Sequence, residues 1–216
     1  MMTADVIKVF LADDHVMVRE GLAALISHDP QIQIVGQCGD GLKVLEQVHA
    51  AQPHVVILDV MMPGLNGLDL CRELSRTAKT INVLVLTMCN DEQFIARSLE
   101  YGASGYLLKE SAADQLIEAV RTVARGELFL GPGIHKGVLS RLGGQNNDPH
   151  EKLTARERQV LQLIAEGKTN RQISEELDVA IKTIDTHRSR LMRKLGIHDQ
   201  TSLVKYALRR GIVSLQ

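Results

Sequence analysis

Five short apolar runs punctuate the first half of the chain, at 6–11, 32–35, 55–58, 83–86 and 106–108. They are rich in Val, Ile and Leu and lack the strict alternation of a strand with one wet face, so they predict strands covered on both sides. Between them apolar residues take helical spacing, as at Leu116, Val120 and Val123. Strand and helix alternate five times. That order predicts a five-stranded, parallel, doubly wound α/β sheet with ligands bound beyond the carboxyl ends of the strands.

After Arg125 and Gly126 the alternation stops. A short helix is expected at 134–142, and the turn-forming stretch GGQNNDP reads as a linker. Beyond it every segment has helical character. Thr154 with Glu157 and Thr169 with Gln172 have capping-box spacing, and Gly167, Gly196 and Gly211 stand where helices should stop. Four short helices are expected. The boundaries are thus 1–128 for an α/β domain, 129–150 for a linker and 151–216 for an all-α domain.

Charge separates along the same division. Residues 1–128 carry ten basic and seventeen acidic side chains, a net of −7, whereas 151–216 carry thirteen against eight, a net of +5. The basic end suits a polyanionic partner, although two solvated surfaces would give the same count. No apolar run approaches the roughly 20 residues that span a bilayer. The start MMTADVIKVFLADDH lacks a basic segment followed by a long apolar core. The protein is therefore expected in the cytoplasm, away from membranes. Cys38, Cys71 and Cys89 are odd in number and scattered, which suits reduced packing thiols.

The chemistry gathers at the predicted strand ends. Asp13 and Asp14 follow the first run, Asp59 the third, Thr87 the fourth and Lys109 the fifth. A parallel sheet brings all of them to one edge. Three carboxylates there repel one another unless a cation intervenes, and clustered hard oxygens suit Mg²⁺. A carboxylate beside Mg²⁺ can attack phosphorus to form an acyl phosphate, with Lys109 and the Thr87 hydroxyl holding the phosphoryl oxygens.

These residues carry a resemblance. Residues 5–127 resemble the receiver domain of bacterial two-component response regulators in the pair Asp13-Asp14, in Asp59 within DVMMPGLNG, in Thr87 after VLVL, and in Tyr106 three residues before Lys109. The resemblance implies a flavodoxin-like receiver fold in which a sensor histidine kinase phosphorylates Asp59. It implies that Asp14, Asp59 and the main-chain carbonyl of Met61 bind Mg²⁺ or Mn²⁺, with Asp13 acting through water. Thr87 and Tyr106 would shift together once the phosphoryl group arrives.

Two features depart from the commonest receiver pattern. Lys109 is followed by Glu110 where many receivers have proline, so the usual reason for a cis peptide there is absent. Met61, Met88 and Cys89 occupy positions that flank the phosphoryl group in the family, and none can orient an attacking water well. Slow self-dephosphorylation is expected.

The stretch LTARERQVLQLIAEGKTNRQISEELDVAIKTIDTHRSRLMRKLGI resembles the helix-turn-helix domain of LuxR and NarL/FixJ type regulators, across nearly all of 151–213. It implies a scaffold helix at 170–177 and a recognition helix at 181–195. At 100° per residue, Ile184, Leu191 and Leu195 face the core, while Lys182, Asp185, Thr186, Ser189 and Arg193 face away, with Arg190 on their flank. Lys182, Thr183, Arg193 and Lys194 are candidates for DNA phosphates. Thr186, Ser189, Arg190 and Asp185 are candidates for base edges, Asp185 by accepting from a cytosine amino group. His187 falls nearer the core. Ala180 stands where the family usually caps the recognition helix with serine or threonine. Leu203, Val204, Ala207 and Leu208 mark a last helix at 201–210 that would dimerise two such domains over a two-fold promoter site, as in relatives.

The expectation is a phosphorylation-dependent transcription regulator, not an enzyme, homodimeric when active, with a sensor histidine kinase and double-stranded DNA as partners. Two alternatives stand beside it. One is a regulator that works without phosphate, which intact Asp14, Asp59, Thr87 and Lys109 disfavour. The other is an Mg²⁺-dependent aspartyl-phosphate hydrolase with a helical protein-binding tail, which would need an acid or base that the strand ends do not clearly supply.

Overall fold

A computed structural model describes residues 6–134, 137 and 148–213. Contacts divide the chain into two compact units with the break after position 144, and each is described by itself. Most of the helix expected at 134–142 and most of GGQNNDP lie outside the described residues.

The first unit is a parallel sheet in the order β2-β1-β3-β4-β5-β6. Its strands are β1 (Ile7–Ala12), β2 (Ile32–Cys38), β3 (Val55–Leu58), β4 (Asn82–Thr87), β5 (Gly105–Leu108) and β6 (Phe129–Leu130). Helices α1 (Val16–Ser27), α2 (Gly41–Ala51), α3 (Gly67–Thr77), α4 (Glu92–Glu100) and α5 (Ala112–Ala124) connect the first five strands and follow the fifth. All four residues of β3 are buried, as both covered faces demand, whereas β2 at one edge keeps three half-exposed residues in its middle. One core joins Val9, Leu11, Val55, Ile57, Leu84, Leu86 and Leu107 of the sheet to Leu22 and Ile26 of α1 and to Leu116, Val120 and Val123 of α5.

The five-stranded expectation needs one correction. β6 adds a sixth, parallel strand inside the stretch assigned to the linker, with Gly105 opposite Phe129 and Tyr106 opposite Leu130. Two residues are too few to show a period in sequence. They pair because β5 would otherwise be an open edge; Phe129 N–H bonds to Ser104 O at 3.1 Å and Gly131 N–H to Tyr106 O at 2.9 Å.

The chain reverses its neighbour order between β1 and β3, which opens a crevice at their carboxyl ends. Asp59 N–H still bonds to Ala12 O at 2.8 Å, so the last strand-like residue of β3 is the aspartate itself. Gly67 lets α3 start against this loop. A Cβ there would lie 2.1 Å from the Asp59 main-chain oxygen, and Gly67 N–H bonds to Val60 O at 2.8 Å.

The second unit holds a 3₁₀ turn (Pro149–Lys152) and helices α6 (Ala155–Ala165), α7 (Asn170–Glu176), α8 (Ile181–Leu195) and α9 (Gln200–Arg209). Both capping boxes form, Thr154 with Glu157 on α6 and Thr169 with Gln172 on α7. Gly196 ends α8 at φ 66°, in the left-handed region. Ile184 and Leu191 are fully buried on α8 and Leu195 half-buried, while Leu203 and Ala207 bury α9. α8 spans the expected recognition helix residue for residue.

Candidate functional site

Asp59 lies 3% exposed at the crevice. Its Oδ1 accepts from Met61 N–H at 3.3 Å and its Oδ2 from Lys109 Nζ at 2.7 Å. The same ammonium lies 2.6 Å from Asp13 Oδ2, so one lysine from the end of β5 bridges carboxylates from the ends of β1 and β3. Burial pushes the Asp59 carboxyl above its ordinary value; Lys109 offsets part of this and the Asp13 charge adds to it. Burial works against the charge on Lys109, but its two carboxylates outweigh that and leave it more basic than usual.

Asp13 is also held from its own strand end. Its Oδ1 accepts from His15 N–H at 2.9 Å and its main-chain oxygen accepts from Arg19 Nη1 at 2.5 Å. Asp14 is half-buried and pairs with His15 Nδ1 at 2.8 Å. One ligand atom from each of Asp13, Asp14, His15 and Asp59 falls within 4.8 Å of the others. Among the described residues this is where metal-ligating groups gather. Three carboxylates fit a hard divalent cation such as Mg²⁺ or Mn²⁺. His15 went unnoticed in sequence, although it directly follows Asp14 and is a ligating residue type.

Thr87 and Tyr106 meet through a third residue. Thr87, 1% exposed, accepts from Cys89 N–H on its Oγ1 at 3.2 Å. The Tyr106 ring is fully buried and its hydroxyl donates to Cys89 O at 2.7 Å. Burial, and then the electrostatics and hydrogen bond of Cys89, raise the phenol well above its ordinary range. The Cys89 peptide groups therefore connect the two side chains. Met88 is 74% exposed and Met61 half-buried, and Lys109–Ser111 form a 3₁₀ turn with no cis peptide among the described residues. Cys71 is fully buried and its thiol pushed up to about 12 by that burial, in keeping with a packing role.

On α8 the side chains of Lys182, Asp185, Thr186, Ser189, Arg190 and Arg193 are exposed, and Thr183 and His187 are half-buried. Desolvation holds the His187 imidazole below its ordinary value, and Arg156 adds to this. Thr186 Oγ1 donates to Lys182 O at 2.9 Å and Ser189 Oγ to Asp185 O at 2.8 Å, so both hydroxyl protons are bonded to the helix itself. Lys194, read from sequence as a phosphate contact, turns its ammonium to Glu157 Oε2 at 2.6 Å, whereas Lys182 and Arg193 are exposed. Asp185 Oδ1 accepts from Asn170 Nδ2 at 2.7 Å, a partner on α7 that helical spacing within α8 does not reveal.

The comparisons agree with both halves. A family model described as the response regulator receiver domain matches residues 9–121, and one described as bacterial regulatory proteins of the luxR family matches 151–207. The transcriptional regulatory protein LiaR of Bacillus subtilis is 40% identical over 210 residues, covering 96% of this chain and all of that protein. The response regulator RcsB of Salmonella typhimurium has a similar structure, with a TM-score of 0.58 at 28% identity over 94% of this chain and 98% of that one. RcsB from Salmonella enterica serovar Typhimurium, bound to the promoter rprA in the presence of phosphomimetic BeF₃⁻, gives a TM-score of 0.53 at 27% identity over 93% of this chain and 97% of that one.

Proposed function

The chain belongs to the two-component response regulators that join a receiver domain to a LuxR-type helix-turn-helix, and from that premise we propose that in the cytoplasm a sensor histidine kinase phosphorylates its Asp59 and thereby sets the binding of α8 to promoter DNA. The observation that carries the reading is the Lys109 ammonium shared by Asp59 and Asp13 in the crevice between β1 and β3. An Asp59 carboxylate oxygen bonds to the phosphorus of a phosphohistidine, the P–N bond breaks, and the imidazole leaves with its electron pair. Mg²⁺ or Mn²⁺ would be held by Asp14, Asp59 and the main-chain carbonyl of Met61, with Asp13 through water, and would neutralise phosphoryl charge.

Lys109 then pairs with a phosphoryl oxygen, and the Thr87 proton is available to a second. Movement of Thr87 toward that oxygen breaks its bond to Cys89 N–H, and the same residue's carbonyl carries the Tyr106 hydroxyl. The signal thus passes from phosphate to Tyr106 through one peptide segment, which biases the receiver surface for dimerisation or for its effect on the DNA-binding domain. On α8, Lys182, Thr183 and Arg193 are assigned to phosphates and Asp185, Thr186, Ser189 and Arg190 to the bases; a homodimer would read a two-fold site.

The test is genomic footprinting with wild type and Asp59→Asn in parallel, after acetyl phosphate and Mg²⁺ have been shown to label the wild type alone. Occupancy should rise with signal only in the wild type. Equal occupancy by both proteins at every signal level rejects the phosphorylation switch.

A further inference from the structure

We infer that Asn170 of α7 is a positioning residue for base recognition, holding Asp185 so that its second carboxylate oxygen meets the amino group of a cytosine; this rests on the DNA-binding reading of α8 given above. An exposed carboxylate on a face that meets phosphates is costly unless it finds a donor. Asp185 is such a group. Its Oδ1 is taken by Asn170 Nδ2 at 2.7 Å, while Oδ2 bonds to no other described residue.

The Asn170 amide is itself fixed. Its Nδ2 faces the carboxylate, and its Oδ1 faces Arg188 Nη1 at 3.4 Å, a guanidinium that also donates to Gln200 Oε1 at 3.0 Å. A flipped amide would set its oxygen against Asp185 and its NH₂ against Arg188, so only one orientation satisfies both neighbours. α7, α8 and α9 are tied together by this line of four side chains. Of the outward groups on α8, Thr186 and Ser189 have already given their protons to main-chain oxygens. Asp185 Oδ2 is consequently a positioned acceptor with its geometry set from a neighbouring helix, and a cytosine N4 amino group is the major-groove donor that suits it.

The experiment is selection of binding sites from a randomised duplex library with the full chain, treated with acetyl phosphate and Mg²⁺, as wild type, Asn170→Ala, Asp185→Ala and the double variant. Wild type should prefer cytosine at one position of each half-site, and Asp185→Ala should lose that preference by about tenfold. Asn170→Ala should weaken the same position and no other, with the C-terminal unit still folding cooperatively and an unchanged salt slope. In the Asp185→Ala background it should add nothing. The inference is overturned if Asn170→Ala leaves the cytosine preference intact, flattens every position alike, or adds fully to Asp185→Ala. A wild type that selects no sequence at all rejects the DNA-binding reading itself, and the inference with it. A wild type that selects a motif without that cytosine rejects the inference alone.

Discussion

Replacing Lys194 by methionine separates a structural lysine from a DNA-contacting one. The Glu157 side chain is 3% exposed; its Oε2 accepts from Thr154 N–H at 2.8 Å and from Lys194 Nζ at 2.6 Å. Methionine keeps most of the aliphatic stem, so packing changes little and the loss is the cation. Taking one partner from a buried pair costs about 3–5 kcal/mol. Here 28% of the Lys194 side chain stays exposed and water reaches the pair, so about 2 kcal/mol is expected, within the range for stranding a buried acceptor. For a domain of roughly 60–100 residues that is a fall of about 8–16 °C in melting temperature.

The pH dependence of the same variant carries a sign. Burial pushes the Glu157 carboxyl up, but Lys194 and then the Thr154 N–H outweigh it and hold the group below its ordinary value of 4.5. A depressed folded value means that the stabilisation is present above the unfolded value and is lost as pH falls through the folded one. Lys194→Met keeps the Thr154 N–H but lacks the lysine's share of that stabilisation at every pH. The gap between wild type and variant is therefore widest near neutrality, begins to narrow as the pH nears about 4.5, the ordinary value, and closes only as the pH falls through the depressed folded value. Chemical denaturation of the full chain, followed by circular dichroism at stepped pH, measures it. If the variant unfolds with wild type at neutral pH while its DNA affinity loses about one unit of salt slope, Lys194 touches a phosphate and the structural account fails.

Two further outcomes are expected. Ala180 precedes α8 with extended backbone at φ −64° and ψ 145° and offers no side-chain cap; Ala180→Ser should stabilise the C-terminal unit by about 1 kcal/mol, and a melting temperature that stays put or drops in a thermal scan would refute the cap. Purified, phosphorylated protein with Mg²⁺ should lose its phosphoryl group slowly, because neither Met61 nor exposed Met88 offers a side chain to orient water; a lifetime of seconds, followed by phosphate-affinity electrophoresis, would show that another group does so.

What could be read from the sequence depended on how far apart the partners stand. Asp13, Asp14, Asp59, Thr87 and Lys109 were legible because a parallel sheet turns strand endings into neighbours, so a pattern of period and charge places them on one edge before any coordinates exist. The two capping boxes were legible because each closes within three residues. Two bonds that sequence missed cross between elements whose mutual angle no periodicity states: Lys194 with Glu157 is 37 residues apart and Asn170 with Asp185 is 15. Helical spacing placed Asp185 away from the core stripe, and Lys194 was a candidate for phosphate. It had no means of showing that α6 and α7 each hold a partner there.

That difference bears on how the DNA-facing surface works. On a bare helix, Asp185 is a liability beside phosphate and Lys194 an asset. With α6 and α7 in place the picture changes: Lys194 is the counter-charge of a buried capping carboxylate, and Asp185 bonds through one oxygen to Asn170. Lys194 and Glu157 cancel within the net charge of +5 over 151–216, so that basic excess comes from other side chains. On the DNA-binding reading proposed above, affinity from phosphates falls to Lys182, Thr183 and Arg193. If Asp185 reads a cytosine as inferred above, it repels every base edge lacking a donor, so discrimination at that one position depends as much on rejecting wrong bases as on binding the right one.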